Sequence, residues 1–146
     1  MTMISLFPPI FIGPVSGGAN AANNPLRIRI EPKVARSEFW AAVLAQERYE
    51  WGFKWKCLVL PALFLEKHIE LMGHAIETYV AVTAYGANYD AYEANEAVSL
   101  GWYSAFEGMT LDDKIAALKA KREPARRWAL RHMNFIRWAL KQEPKP

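Results

Sequence analysis

The chain has 146 residues, of which 52% are hydrophobic and 23% charged, and a net charge of +3. That length suits one sizeable core rather than two, and the balance is that of a globular domain, not of a disordered or membrane-embedded chain. The longest apolar run, Cys57 to Leu65, is interrupted by Pro61 and falls short of the roughly 20 residues a membrane helix needs, while a single cysteine, read as a core residue, excludes an internal disulfide.

Residues 1 to 26 carry no charged side chain. Their apolar part lacks a positive leader and is broken by Pro8, Pro9 and Pro14, so the stretch reads as an apolar arm that docks on the domain or on other protein subunits, not as a cleaved signal. Leu26 to Glu31 alternates apolar and charged residues before Pro32, the period-2 pattern of a half-exposed strand and the only clear strand signal. Ser37 then reads as the N-cap of a helix to about Glu50, with Phe39, Trp40, Val43 and Leu44 at helical spacing and Gly52 ending or bending it.

Pro61 suits the first turn of a second helix, which runs through His68, Leu71, Ala75 and Thr78 to a stop at Gly86. A third helix begins near Asp90 and carries Tyr92, Ala97, Leu100 and Tyr103. Thr110 caps a fourth, and Pro124 opens a fifth whose Trp128, His132, Phe135, Ile136, Ala139 and Leu140 share a face. The expected fold is mainly α with a short N-terminal strand or hairpin, organised as an arm over 1–26, a helical domain over 27–108 and basic C-terminal helices over 109–146 packed on the same domain. Charge supports this division, because residues 111–146 hold ten Lys or Arg against four Asp or Glu.

Two groups of residues carry candidate chemistry. In LAQERYEWGF, residues 44–53, histidines at 46 and 50 would complete HExxH, the two-imidazole zinc motif whose positions four apart stand on one helix face. Here Gln46 offers a neutral amide, Glu50 a carboxylate able to bind a metal through oxygen, and Glu47 stands where the general base would be. Glu70, His74 and Glu77, four and three apart, project from one face of the next helix. With Glu47 and Glu50 they make an oxygen-rich set with one imidazole, suited to manganese, iron or calcium more than to zinc. The plainer alternative is an i, i+4 pair of Glu70 and His74 beside solvated Glu77 and a solvated QERYE face. At the C-terminus, Arg126, Arg127 and Arg131 lie off the apolar stripe, a surface for nucleic acid or an acidic partner, or an ordinary solvated face. No GxSxG, P-loop or dinucleotide fingerprint is present.

The order of these features, a strand ending in Pro, a Ser-started helix with QERYE, a Trp51-Gly52-Phe53 turn, a Leu-rich stretch and a helix bearing Glu70 to Glu77, resembles the small zincin-like (HExxH-type) metallopeptidase family encoded by many bacteriophages, over roughly residues 26–100. The resemblance implies a minimal zincin-like helical domain in which Gln46, Glu47 and Glu50 fall on the motif's His, Glu and His, and Glu77 or Glu70 on the third ligand. Both histidine positions depart from the pattern. The implied function is therefore a catalytically degenerate phage protein with no cofactor, a structural or assembly component of the virion or host cytoplasm, held by its N-terminal arm and aromatic surface. Two other readings stand beside it: a metal-dependent peptidase or hydrolase with carboxylate and His ligands and Glu47 as base, and a small basic nucleic-acid-binding protein.

If the QERYE helix keeps the zincin geometry, Gln46→His with Glu50→His assembles two imidazoles beside a carboxylate of the second helix, a known zinc ligand set. Calorimetric titration should show zinc binding to the double variant that the parent chain lacks. Equal zinc binding by both contradicts the expectation.

Overall fold

Short apolar segments of the uncharged N-terminal stretch have few ways to cover their backbone polar groups except by pairing with one another, and they do so. The computed structural model describes residues 1–24, 26–35, 37–56 and 65–142. Its strands are β1 (Thr2–Ser5), β2 (Ile10–Ile12), β3 (Ala21–Asn24) and β4 (Arg27–Ile30), in the sheet order β1-β2-β4-β3. β2 runs parallel to β4 with Ile10 opposite Ile28 and Ile12 opposite Ile30, and the other pairings are antiparallel. The expected strand is β4. The expected strand or hairpin is a four-stranded sheet, whose β1, β2 and β3 lack the alternation of apolar and charged residues that marks β4 in the sequence.

The remaining described residues are mainly helical, as expected: α1 (Pro32–Ala35), α2 (Trp40–Lys56), α3 (Glu66–Tyr85), α4 (Tyr89–Leu100), α5 (Leu111–Ala120), α6 (Arg122–Arg131) and α7 (Met133–Lys141). Ser37 does not cap α2, since its hydroxyl donates to the Val34 carbonyl at 2.7 Å. Nor does Gly52 end α2: Trp51-Gly52-Phe53 lies inside the helix rather than in a turn. A helical glycine costs about 1 kcal/mol, and burial of Trp51 against Ile10, Ile28 and Leu44 in the core beneath the sheet offsets it.

α3 ends where expected, with Gly86 in the left-handed conformation at φ 71° and its N–H returned to the Val82 carbonyl. Pro61 and Cys57 lie outside the described residues. Asn88 caps α4 by accepting from the Ala91 N–H, and Thr110 caps α5 by accepting from the Asp113 N–H. α4 stops at Leu100, so Tyr103 sits just beyond it. The single C-terminal helix expected from Pro124 is instead two, α6 and α7, broken at His132, whose Nδ1 lies 2.9 Å from the Trp128 carbonyl oxygen and whose ring stacks on Trp128 at 4.0 Å. Ile136 and Ala139 share the buried face, whereas Leu140 is exposed.

Two apolar clusters meet at α2. Trp40, Ala41, Leu44 and Trp51 pack against the sheet isoleucines, while Ala42, Ala45 and Tyr49 pack against α3 and the C-terminal helices. α2 is thus buried on nearly all sides, which leaves its acidic face inside the protein. Charge also enters the core in α4, where Glu93, 2% exposed, receives a two-point bond from Arg122 at 2.9 and 2.8 Å. Arg122 also lies over the Tyr89 ring at 4.1 Å and reaches Asp90, tying α4 to the start of α6. Glu93 and Arg122 were absent from the sequence reading as a pair.

Arg122→Ala leaves the Glu93 carboxylate buried without its partner. Stability should fall by roughly 2–3 kcal/mol, below the roughly 3–5 kcal/mol of a fully buried pair because Arg122 is partly exposed. Urea denaturation should show the loss, and Glu93→Gln combined with Arg122→Ala should recover part of it.

Candidate metal centre

Charged side chains on the inner face of a packed helix need partners, because burial removes their water. α2 turns Gln46, Glu47 and Glu50 inward, each no more than 7% exposed. α3 turns Glu70, His74 and Glu77 toward them, with His74 and Glu77 5% and 6% exposed. Burial overturns the alternative in which Glu77 and the QERYE face are solvated, whereas its i, i+4 pairing of Glu70 with His74 is present, with carboxylate and imidazole facing each other. Close approach of the two helices depends on Gly73: a Cβ there would stand 3.0 Å from both Gln46 Cγ and Glu50 Oε1.

His74 is the hub. Its Nδ1 makes a very short contact with the Glu96 carboxylate of α4, and its Nε2 faces Glu70 Oε2 at 3.7 Å, too far for a hydrogen bond. Both of those facing atoms are buried and without a hydrogen-bond partner. His74, Glu77 and Glu96 each offer a ligand atom within 4.8 Å of the others, a group that can hold a metal ion. On the α2 side the Asn23 amide of β3 donates to Glu47 at 2.6 Å and to Glu50 at 2.7 Å, and Gln46 lies 3.4 Å from Glu50. The Glu50 carboxyl and the Tyr103 hydroxyl both lie against the Glu70 carboxyl.

The electrostatics follow from crowding acids in a dry space. Burial first, then the Glu50 charge, push Glu47 up to about 8, against the Asn23 hydrogen bond and Lys54. Glu70 is raised to about 8 by burial and Glu50, with His74 opposing. Burial draws His74 down, but the Glu96 hydrogen bond and the charges of Glu96, Glu50 and Glu70 outweigh it and leave it raised. Tyr103 is raised by burial and by Glu70 and Glu50. Among the described residues, Lys54 is the nearby cation: it donates to the Asn23 carbonyl at 3.0 Å.

The centre opens into a cavity of about 770 Å³ whose lining includes Glu47, His74, Glu77, Glu96, Trp102 and Tyr103 and, among the described residues, no Lys or Arg. Five of the six residues expected as metal ligands or base are therefore carboxylates or imidazole in one locus, and Gln46 joins them as a neighbour of Glu50. Sequence reading missed Glu96, Asn23 and Tyr103. Glu96 had a signal: Glu93, Glu96, Ala97 and Leu100 form an i, i+3, i+4, i+7 stripe, so two acids lie on a core face. Arg126, Arg127 and Arg131 are exposed on α6, away from this centre, and Arg127 and Arg131 line a separate cleft with Trp51, Trp55 and Trp128. No family model, curated protein or solved structure matches the chain.

The raised acids set a pH dependence for the metal-free protein. Glu47 and Glu70 hold protons in the folded state that the unfolded state, with carboxyls near 4.5, has released. Their stabilising contribution is complete below about pH 4.5 and is lost as pH rises through about 8. Calorimetry in chelator should show the melting temperature falling between pH 5 and 8.5, with a shallower fall in Glu47→Gln. A melting temperature rising across that window contradicts the electrostatics.

Proposed function

We propose that the chain is a divalent-metal-dependent hydrolase whose centre is built from Glu47, Glu50, Glu70, His74, Glu77 and Glu96. The observation that supports it is the group of His74, Glu77 and Glu96, whose ligand atoms lie within 4.8 Å of one another and which, with Glu47, lines a cavity large enough for a small substrate, while Glu50 and Glu70 pack behind it. Hydrophobic residues at these positions would fold more easily, so the acids point to a ligand that compensates their charge.

The donor set is mostly oxygen with one nitrogen, which favours manganese, iron or magnesium over zinc. An ion there supplies polarisation of a carbonyl or phosphoryl group. Glu96 fixes the His74 ring by taking the Nδ1 side, so Nε2 is the nitrogen left to ligate. Asn23 sets the spacing of Glu47 and Glu50, and Glu47, protonated in the metal-free protein, would be ionised by a cation beside it and then, on the cavity wall, be placed to take a proton from water. Tyr103 and Trp102 border the space the substrate would enter.

A second reading, a zincin-like phage protein that has lost its metal and serves assembly, draws on the resemblance and on the exposed Leu6, Phe7 and Trp102. Metal content separates the two. Purified protein should bind manganese tightly, and hydrolysis of a model phosphodiester or peptide should require it, stop in chelator and be lost in His74→Ala. A folded protein that binds no divalent metal overturns the hydrolase and leaves the assembly reading.

A further inference from the structure

Arginines that a fold uses for its own stability find carboxylates, and two here do: Arg122 pairs with Asp90 and Glu93, and Arg126 with Glu123. Arg48, Arg127 and Arg131 form no such pair among the described residues, and all three line one cleft of about 710 Å³. Its described lining holds no Asp or Glu. Among the described residues it shares none with the cavity of the metal centre.

α2 makes room for Arg48. The guanidinium lies over the Trp51 ring at 5.1 Å and the Phe135 ring at 5.8 Å, and it crosses Gly52, where a Cβ would stand 2.7 Å from Nη1. Gly52 thus gives the cation space along the cleft at the cost of helix propensity. Half-buried and without a counter-ion, Arg48 is short of both water and a partner, and an anion entering the cleft supplies one. Arg127 and Arg131, exposed and one turn apart on α6, set two more cations in a row.

Aromatic rings stand beside these cations. Buried Trp51 meets Phe7 and Trp55 edge-on, with centroids 5.5 and 6.2 Å away. Phe7 and Trp55 are themselves 79% and 47% exposed, and both line the cleft. Exposed rings beside a row of guanidinium groups suit planar bases joined by phosphates, since stacking takes the bases and charge the backbone. A duplex keeps its bases stacked inside and offers no ring to Phe7 or Trp55, and a free nucleotide engages only part of the row. We propose that the cleft binds single-stranded nucleic acid, with phosphates on Arg48, Arg127 and Arg131 and bases on Trp55 and Phe7.

Fluorescence anisotropy of a labelled oligothymidylate, titrated with the full chain in chelator so that no metal-dependent cleavage intervenes, tests this. Binding should weaken with salt at a log–log slope of about −2, as three phosphate contacts on a single strand require. Trp55→Ala should weaken it about tenfold, the loss of one stacked base. Arg127→Ala with Arg131→Ala should lower both affinity and salt slope. Arg137→Ala with Lys141→Ala removes two exposed cations of α7 outside the cleft and should leave affinity within about twofold. Circular dichroism checks that each variant keeps its helices. Equal losses in the two double variants, or none in Trp55→Ala, assign the affinity to diffuse surface charge and overturn the cleft. Thymidine monophosphate competing at equal concentration makes it a nucleotide site and overturns the strand. No binding at all overturns the proposal and leaves the metal reading untouched.

Discussion

Five carboxyl groups held in one helical interior, with His74 between them, are the constraint on which the rest of this molecule depends. Like charges at such distances cannot all be ionised in a dry space without a compensating ion, and the shifts of Glu47 and Glu70 toward neutral pH express that conflict. The surrounding structure is arranged to hold it. α2 is clamped between the sheet and α3, Gly73 lets α3 approach to contact distance, and α4 brings Glu96 onto the imidazole. Apolar burial of Leu44, Ile76, Val80 and Leu100 supplies the stability that a cluster of buried acids subtracts.

The N-terminal sheet has a role in the same arrangement. β3 pairs with β4, and that register sets Asn23 opposite Ile28. The isoleucines of β2 and β4 anchor the sheet on α2. Asn23, on the strand so anchored, then reaches both acids of α2. The uncharged stretch that reads as an arm is thus, for residues 2–5, 10–12 and 21–24, part of the sheet that supports the centre, while Leu6 and Phe7 stay exposed at its turn.

Much of this was legible before any coordinates. Capping by Thr110, the stop at Gly86 and the shared face of Glu70, His74 and Glu77 follow from local rules that tertiary structure did not override. The three N-terminal strands were hidden because pairing, not alternation, specifies them: Ala21–Asn24 has no apolar side chain larger than alanine. The helical Trp51-Gly52-Phe53 was misread as a turn because packing of Trp51 outweighs the local preference of Gly52. For the site, spacing could put Glu47 and Glu50 on one face but could not say that this face turns inward. That depends on α2 being covered on both flanks, which only the assembled sheet and helices decide. Glu96 was legible in principle, as an acid on an apolar stripe, and Asn23 was not, since it comes from a distant strand.

On the proposed reading, the buried acids exist to hold divalent metal. Crystals of the unmodified chain grown with manganese, with diffraction recorded at the manganese absorption edge, test it most directly. Anomalous density bonded to His74 and to carboxylate oxygens of α2, α3 or α4 is expected. Carboxyl groups paired only with protons and with Asn23, and no anomalous peak in the cavity at saturating manganese, would contradict it.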